Sequence, residues 1–325
     1  MADQLAVEVR DLVKVYPRPG GGTLRAVDGV SFEVRAGEFF GFLGPNGAGK
    51  TTTLEMIEGL RRPTTGEVRV LGVDPRRDLD RVKRMIGVQL QAASYFSLLT
   101  IEEMLELFGS FYPKRRSPGE LLATVGLSEQ RKAYVRHLSG GQQHRFSVAA
   151  ALVNDPDVLF LDEPTTGLDP QMRHAVWDLL RRLNRDEGKT IVLTTHYMEE
   201  AELLADRVAI IDHGRIVALD KPAGLIERHA HGNRVRLGVV GGVPPELGPA
   251  PGSGRPYEEY RVGPAADGSS DGIVEYELPA PEPTRYVAEL AKDAGRLGVD
   301  LRTIQIKSGS LEDVFLTLTG RELRD

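Results

Sequence analysis

Over the first 220 residues, short apolar runs of β type alternate with stretches of helical periodicity, a succession that predicts an α/β fold around a mainly parallel sheet. Val30, Phe32 and Val34 alternate with polar neighbours, as in a strand with one buried face. By contrast, Phe39-Phe40-Gly41-Phe42-Leu43 and Val158-Leu159-Phe160-Leu161 are apolar without a break, which suits strands covered on both faces. Val7–Val15 and Thr190–Thr194 read as further strands, and Thr52–Leu60 as a helix. From about residue 92 to 150 the pattern is mostly helical: Thr100-Ile101-Glu102-Glu103 has the form of a capping box, and Met104, Leu105, Phe108 and Phe111 fall on one face.

A second unit is expected from Lys221-Pro222 onward, giving two domains, 1–220 and 221–325. Gly241–Pro256 is too rich in Gly and Pro for a regular element, and Ala265–Gly272 is turn-like. Strands are predicted at Arg234–Val240, Tyr257–Val262, Ile273–Leu278 and Leu301–Ile306, and helices at Thr284–Leu297 and Leu311–Leu318. These make a small α+β module. Its His229 and His231 form an H-x-H pair, but without further ligands at metal-site spacing they predict no zinc site.

Composition narrows the chemistry. The 325 residues contain no cysteine, which excludes disulfides, cysteine-ligated zinc and a thiol nucleophile. With 41 basic side chains against 47 acidic ones and no basic face or tail, nucleic acid is not an expected partner. The longest aliphatic run, Val148 to Val153, falls far short of the roughly 20 residues that span a bilayer. The opening Met1-Ala2-Asp3-Gln4 lacks the basic and apolar order of a secretory signal, so a cytosolic location is expected.

Residues Gly44, Pro45, Asn46, Gly47, Ala48, Gly49, Lys50 and Thr51 fit G-x-x-x-x-G-K-[ST], between an apolar strand and a helical stretch that includes Thr52. Glycines there let backbone N–H groups curl around phosphate oxygens, Lys50 brings a positive charge to the β and γ phosphates, and Thr51 offers a hydroxyl to Mg²⁺. At the end of a second buried strand, the apolar run stops at Asp162-Glu163. Asp162 is the expected Mg²⁺ partner and Glu163 the group that polarises the attacking water.

Leu138-Ser139-Gly140-Gly141-Gln142, upstream of these acids, resembles the signature pentapeptide of the ABC-type ATPases, and the likeness extends across residues 1–220. It implies the fold of that family: a P-loop core with a mainly parallel sheet, an antiparallel β subdomain and a helical subdomain, here followed by the extra α+β domain. It also implies ATP and Mg²⁺ as cofactors and a second copy of the chain as partner. In that arrangement Ser139, Gly140, Gly141 and Gln142 face the nucleotide of the opposite subunit, where a helix started by Ser139 suits an anion. The resemblance further implies that Gln91 senses metal and water, although Gln89 stands two residues away. By the same likeness His196 contacts the γ-phosphate, Tyr16 stacks on adenine, and Asp169, in Pro164-Thr165-Thr166-Gly167-Leu168-Asp169, belongs to a loop that touches the other subunit. Asp169-Pro170 is also an ordinary helix start.

Thr194-Thr195-His196-Tyr197-Met198-Glu199-Glu200-Ala201-Glu202 and the ending Ser310–Arg321 are similar to ATPase subunits of the ABC-2 type exporters, including daunorubicin-type resistance ATPases. That likeness implies a separate multi-spanning permease at the cytoplasmic face of the plasma membrane, docked near the helical insertion, and export of a hydrophobic drug, antibiotic or lipid. An importer with a regulatory C-terminal domain and a soluble ATPase switch are the alternative readings. Glu199, Glu200 and Glu202 read as the solvated face of a helix.

Overall fold

The computed structural model describes residues 4–18, 20–90, 95–230, 232–244, 256–264 and 272–320. They form two compact units, divided at Pro222 and Ala223.

In the first unit, β1 (Leu5–Pro17), β2 (Thr23–Arg35) and β4 (Thr65–Val70) make an antiparallel sheet of order β2-β1-β4. The main sheet is built from β3 (Phe39–Leu43), β5 (Ile86–Gln89), β6 (Val158–Asp162), β7 (Thr190–Thr195), β8 (Arg207–Asp212) and β9 (Arg215–Asp220), in the order β5-β6-β7-β3-β8-β9. All its neighbours run parallel except β8 and β9. The unbroken apolar runs are the central strands, and every residue of β3, β6 and β7 is buried. One side of the sheet joins the antiparallel sheet in a common core, where the Phe32 and Phe40 rings stack at 5.3 Å.

Helix α1 (Lys50–Ile57) follows β3 and contacts strands of both sheets. The predicted Thr52–Leu60 helix thus starts and stops earlier: Gly59, at φ +78, leaves the helical region, and a side chain there would strike Leu79. Helix α2 (Leu79–Met85) leads into β5. Between β5 and β6 lie α3 (Ile101–Ser110), α4 (Pro118–Thr124) and α5 (Gly140–Ala151), each opened by a full capping box, from Thr100, Ser117 and Ser139 respectively. Helix α6 (Pro170–Arg185) is capped by Asp169, and α7 (Met198–Leu204) follows β7.

The second unit opens with α8 (Pro222–His229) and contains β10 (Arg234–Val240), β11 (Arg261–Pro264), β12 (Ile273–Pro279), α9 (Pro283–Leu297), β13 (Leu301–Lys307) and α10 (Leu311–Thr319). Its antiparallel sheet has the order β11-β12-β10-β13, and Tyr286 and Leu290 of α9 pack on Val235, Leu237, Tyr276 and Leu278. The strand predicted at Tyr257–Val262 is corrected: Tyr257–Tyr260 is a 3-10 turn and pairing starts at Arg261. Tyr257 and Tyr260, three residues apart, both pack on this core, a spacing that suits a 3-10 turn and not a strand. His231 lies outside the described residues. Among the described residues no helix is long and apolar enough to cross a membrane.

Candidate active site

The site grows from the ends of three parallel strands. After β3 the chain turns through Gly44–Gly49 into α1. A Cβ at Gly44 would lie 2.3 Å from the carbonyl oxygen of Ile211, and one at Gly49, where φ is +105, would lie 2.5 Å from that of Ala26. These glycines are required by close backbone approach, and the resulting turn points Lys50 back under the loop. Lys50 Nζ donates to the carbonyl oxygens of Gly44 at 2.7 Å and Pro45 at 3.2 Å and lies 3.3 Å from Glu163 Oε1. Burial pulls the Lys50 ammonium below its ordinary pKa, and Glu163 opposes the shift.

From β6 come both acids. Thr51 Oγ1 donates to the Asp162 carboxylate at 3.0 and 3.1 Å, and Thr194 Oγ1, from β7, donates to the same group. Burial raises the Asp162 pKa, while the Thr194 and Thr51 hydroxyls hold it down. Glu163 has φ +50, an uncommon conformation for a residue with a side chain, held by its N–H to the Thr194 hydroxyl and carbonyl. His196, just past β7, brings Nδ1 within 3.3 Å of Glu163 Oε2, and Thr166 Oγ1 donates to that oxygen at 3.0 Å. His196 first, and Lys50 after it, pull the Glu163 pKa down to about 2, so the carboxyl is ionised at neutral pH.

Tyr16 at the end of β1, Pro45, Gly47, Lys50, Thr52 and Glu163 line one cleft of about 560 Å³, together with Asn46, Gly49 and Thr51. Leu24 and Arg61, which sequence reasoning missed, line it as well. Arg61 is anchored to Glu55 at 2.5 Å and stands 5.5 Å from the Tyr16 ring, with Lys14 at 5.2 Å. Arg61 reaches the Tyr16 ring from beyond α1, 45 residues along the chain, so spacing in the sequence does not reveal this contact. Thr194 was missed too: β7 carries threonines at 190, 194 and 195, and nothing in the sequence singles out the one whose hydroxyl reaches Asp162.

Ser139, Gly140, Gly141, Gln142 and Asp169 do not line this cleft. Ser139 and Gly140 are exposed, whereas Gly141 is buried against Met172 of α6. Gln91 lies outside the described residues; Gln89 ends β5 beside Leu161 and is buried. The reading of Glu199, Glu200 and Glu202 as a solvated face is corrected for Glu200, which is completely buried. Thr165 and Trp177 supply it with hydrogen bonds that a helical wheel cannot show.

A strand-loop-helix phosphate cradle, a hydroxyl paired with a carboxylate, and an ionised glutamate between a lysine and a histidine define the class of a P-loop ATPase. The ABC transporter family profile matches residues 27–166. The Nod factor export ATP-binding protein I of Ralstonia nicotianae is 42% identical, over 94% of this chain and 92% of that protein. The daunorubicin/doxorubicin resistance ATP-binding protein of Streptomyces peucetius is 39% identical, over 98% of this chain and 94% of its own length. A dimeric ATP-binding cassette, solved in a post-hydrolysis state bound to ADP and Pi, superposes with a TM-score of 0.61 at 31% identity, covering 66% of this chain and 98% of that one. The chain belongs to the ATP-binding subunits of the ABC transporter family, and it is an ATPase.

Proposed function

We propose that Lys50, Glu163, His196 and Gln91 carry out the hydrolysis of ATP, with Thr51, Asp162 and Gln91 serving a bound Mg²⁺. The observation that carries this reading is the convergence of Lys50 and His196 on the two oxygens of Glu163, each within 3.3 Å. Phosphate oxygens held by the 44–52 loop compete with Glu163 for Lys50, which frees the carboxylate to accept a proton from the attacking water. Tyr16 serves as the platform for adenine. The hard oxygen donors of Thr51 and Asp162, 3.0 Å apart, suit Mg²⁺, which takes one or two protein ligands and completes its shell with phosphate and water. That ion would neutralise charge on the β and γ phosphates.

Ser139–Gln142 and Asp169 lie away from the cleft that holds Lys50, which accords with their serving the nucleotide of a second copy of the chain. ATP then joins two subunits, and loss of the γ-phosphate loosens them. This motion works on a multi-spanning permease at the cytoplasmic face of the membrane. Leu90, Phe96, Leu98 and Phe111, on the way into α3 and at its end, are exposed apolar side chains of the kind a partner covers, with Leu98 80% exposed. Both relatives are named for export or drug resistance and match nearly the whole chain, second unit included. Export of a hydrophobic drug, antibiotic or lipid is the transport reaction these likenesses favour. Residues 1–220 are read as the ATP-binding domain and 221–325 as an accessory, regulatory one.

Replacing the carboxylate tests the chemistry. Glu163→Gln is expected to keep ATP affinity, to slow hydrolysis by about 10²–10⁴-fold, and to accumulate an ATP-bound dimer in size-exclusion chromatography. Wild-type turnover in that variant would remove Glu163 from the mechanism. Transport is tested by purifying the protein from its native membrane in mild detergent. A multi-spanning protein should accompany it, and recovery without one would overturn the coupling to a permease.

A further inference from the structure

The buried carboxyl of Glu200 takes no part in the chemistry above, yet one of its oxygens joins three segments that surround the chemistry. Glu200 Oε1 accepts from Thr165 Oγ1 at 2.8 Å and from Trp177 Nε1 at 2.8 Å. Thr165 lies two residues past Glu163, and its neighbour Thr166 holds Glu163 Oε2. Trp177 belongs to α6, which Asp169 caps, so the 163–169 loop is fixed to this helix at its far end as well. Glu200 itself sits on α7, four residues after His196. A second bridge runs alongside: the Arg173 guanidinium of α6 stands 4.1 Å over the Tyr197 ring, and that ring lies 4.2 Å from His196.

A fully buried carboxyl is a costly way to hold a helix in place, since an apolar side chain of similar size fills the same space without desolvation. Burial pushes the Glu200 pKa up, and the hydrogen bonds from Thr165 and Trp177 are among the contacts that resist the rise. What the carboxyl supplies and a hydrocarbon does not is a two-donor acceptor. That acceptor fixes the loop after Glu163 against the helix after His196.

We propose that Glu200 is a positioning residue: by clasping Thr165 and Trp177 it holds the 163–169 loop and the His196 segment in one register, so that Glu163 and His196 meet in the geometry hydrolysis requires. This rests on the catalytic reading of Glu163 and His196 given above. The clasp acts on the rate of the chemical step and not on ATP affinity, because none of its members lines the nucleotide cleft.

The test uses the full-length chain, single-turnover hydrolysis of ATP with Mg²⁺, a separate ATP-binding titration and a thermal melt. Thr165→Val and Glu200→Ala are expected to slow single-turnover hydrolysis by about ten-fold or more while ATP Kd stays within about two-fold. Thr165→Ser keeps the donor and Glu200→Gln keeps the accepting oxygen, so both should recover the rate to within about three-fold of wild type. Lower melting temperatures with unchanged rates per folded molecule in the first two variants would overturn the proposal, as would failure of both conservative variants to restore the rate. Glu163→Gln is run in parallel. Should it hydrolyse ATP at the wild-type rate, the catalytic reading falls and the clasp with it. A slow Glu163→Gln beside an unaffected Thr165→Val rejects the clasp alone.

Discussion

Gly44 and Gly47 stand three residues apart in the phosphate loop and are needed for different reasons. At Gly47, φ is +80 but no atom lies within 4 Å of where a Cβ would stand, so Gly47→Ala meets only backbone strain, about 1–2 kcal/mol. Gly44 is crowded instead, with the backbone oxygen of Ile211 in the way, and Gly44→Ala must move β8 or the loop. Gly44→Ala is therefore expected to cost more stability in urea unfolding than Gly47→Ala and to weaken ATP binding at least about ten-fold. A larger loss in Gly47→Ala would show that φ, and not crowding, governs the loop, since only Gly47 of the two has a positive φ. Lys50 and Thr51, and Asp162 and Glu163, were legible because each pair ends a motif that is local and contiguous in the chain. Thr194, Arg61 and Glu200 were not, because each acquires its role from partners that only folding delivers: Asp162 lies 32 residues from Thr194, and Trp177 lies 23 from Glu200.

Between elements, Asp155 offers a case where charge and backbone separate cleanly. It follows α5 with φ +48, and its carboxylate pairs with Lys114, between α3 and α4, at 2.6 Å and with Lys189, just before β7, at 2.7 Å. Lys114 first and Lys189 second pull the Asp155 pKa from 3.8 to about 2. A carboxyl with a folded pKa below its unfolded one stabilises above the unfolded value, and the contribution fades as pH falls from about 4 towards 2. Asparagine tolerates positive φ as aspartate does, so Asp155→Asn removes charge with little backbone penalty. The expected loss in urea unfolding is about 1 kcal/mol at pH 7, because the pair with Lys114 is well exposed to solvent. It should be smaller at pH 3, and a loss independent of pH would assign the effect to hydrogen bonding alone. Elements themselves were legible where a pattern had a single interpretation, as in the unbroken runs 39–43 and 158–161, both of which are central buried strands. They were misread where the deciding feature was a backbone angle, as at Gly59, or a three-residue spacing of aromatics, as at Tyr257 and Tyr260.

At the scale of the whole molecule, each unit has a hydrophobic core of its own, one around Phe40, Phe42 and Phe160 and the other around Leu237, Tyr276 and Tyr286. The phosphate cradle, both acids and His196 lie in the first unit, which spans residues 1–222. A ligand that binds only the folded form of one unit stabilises that unit by mass action, about 2.7 kcal/mol at a hundred times its Kd. Calorimetry of the full-length Glu163→Gln variant, in which ATP is bound and not consumed, is therefore expected to show two unfolding transitions. Mg²⁺ and ATP should raise the first unit's transition and leave the other where it was. Two transitions rising together would show that occupancy of the cleft is felt in residues 223–322, the behaviour required of a regulatory domain that senses nucleotide. Movement of one alone would assign the second unit a role independent of the nucleotide state, leaving contact with the permease or with its own copy as the work it does.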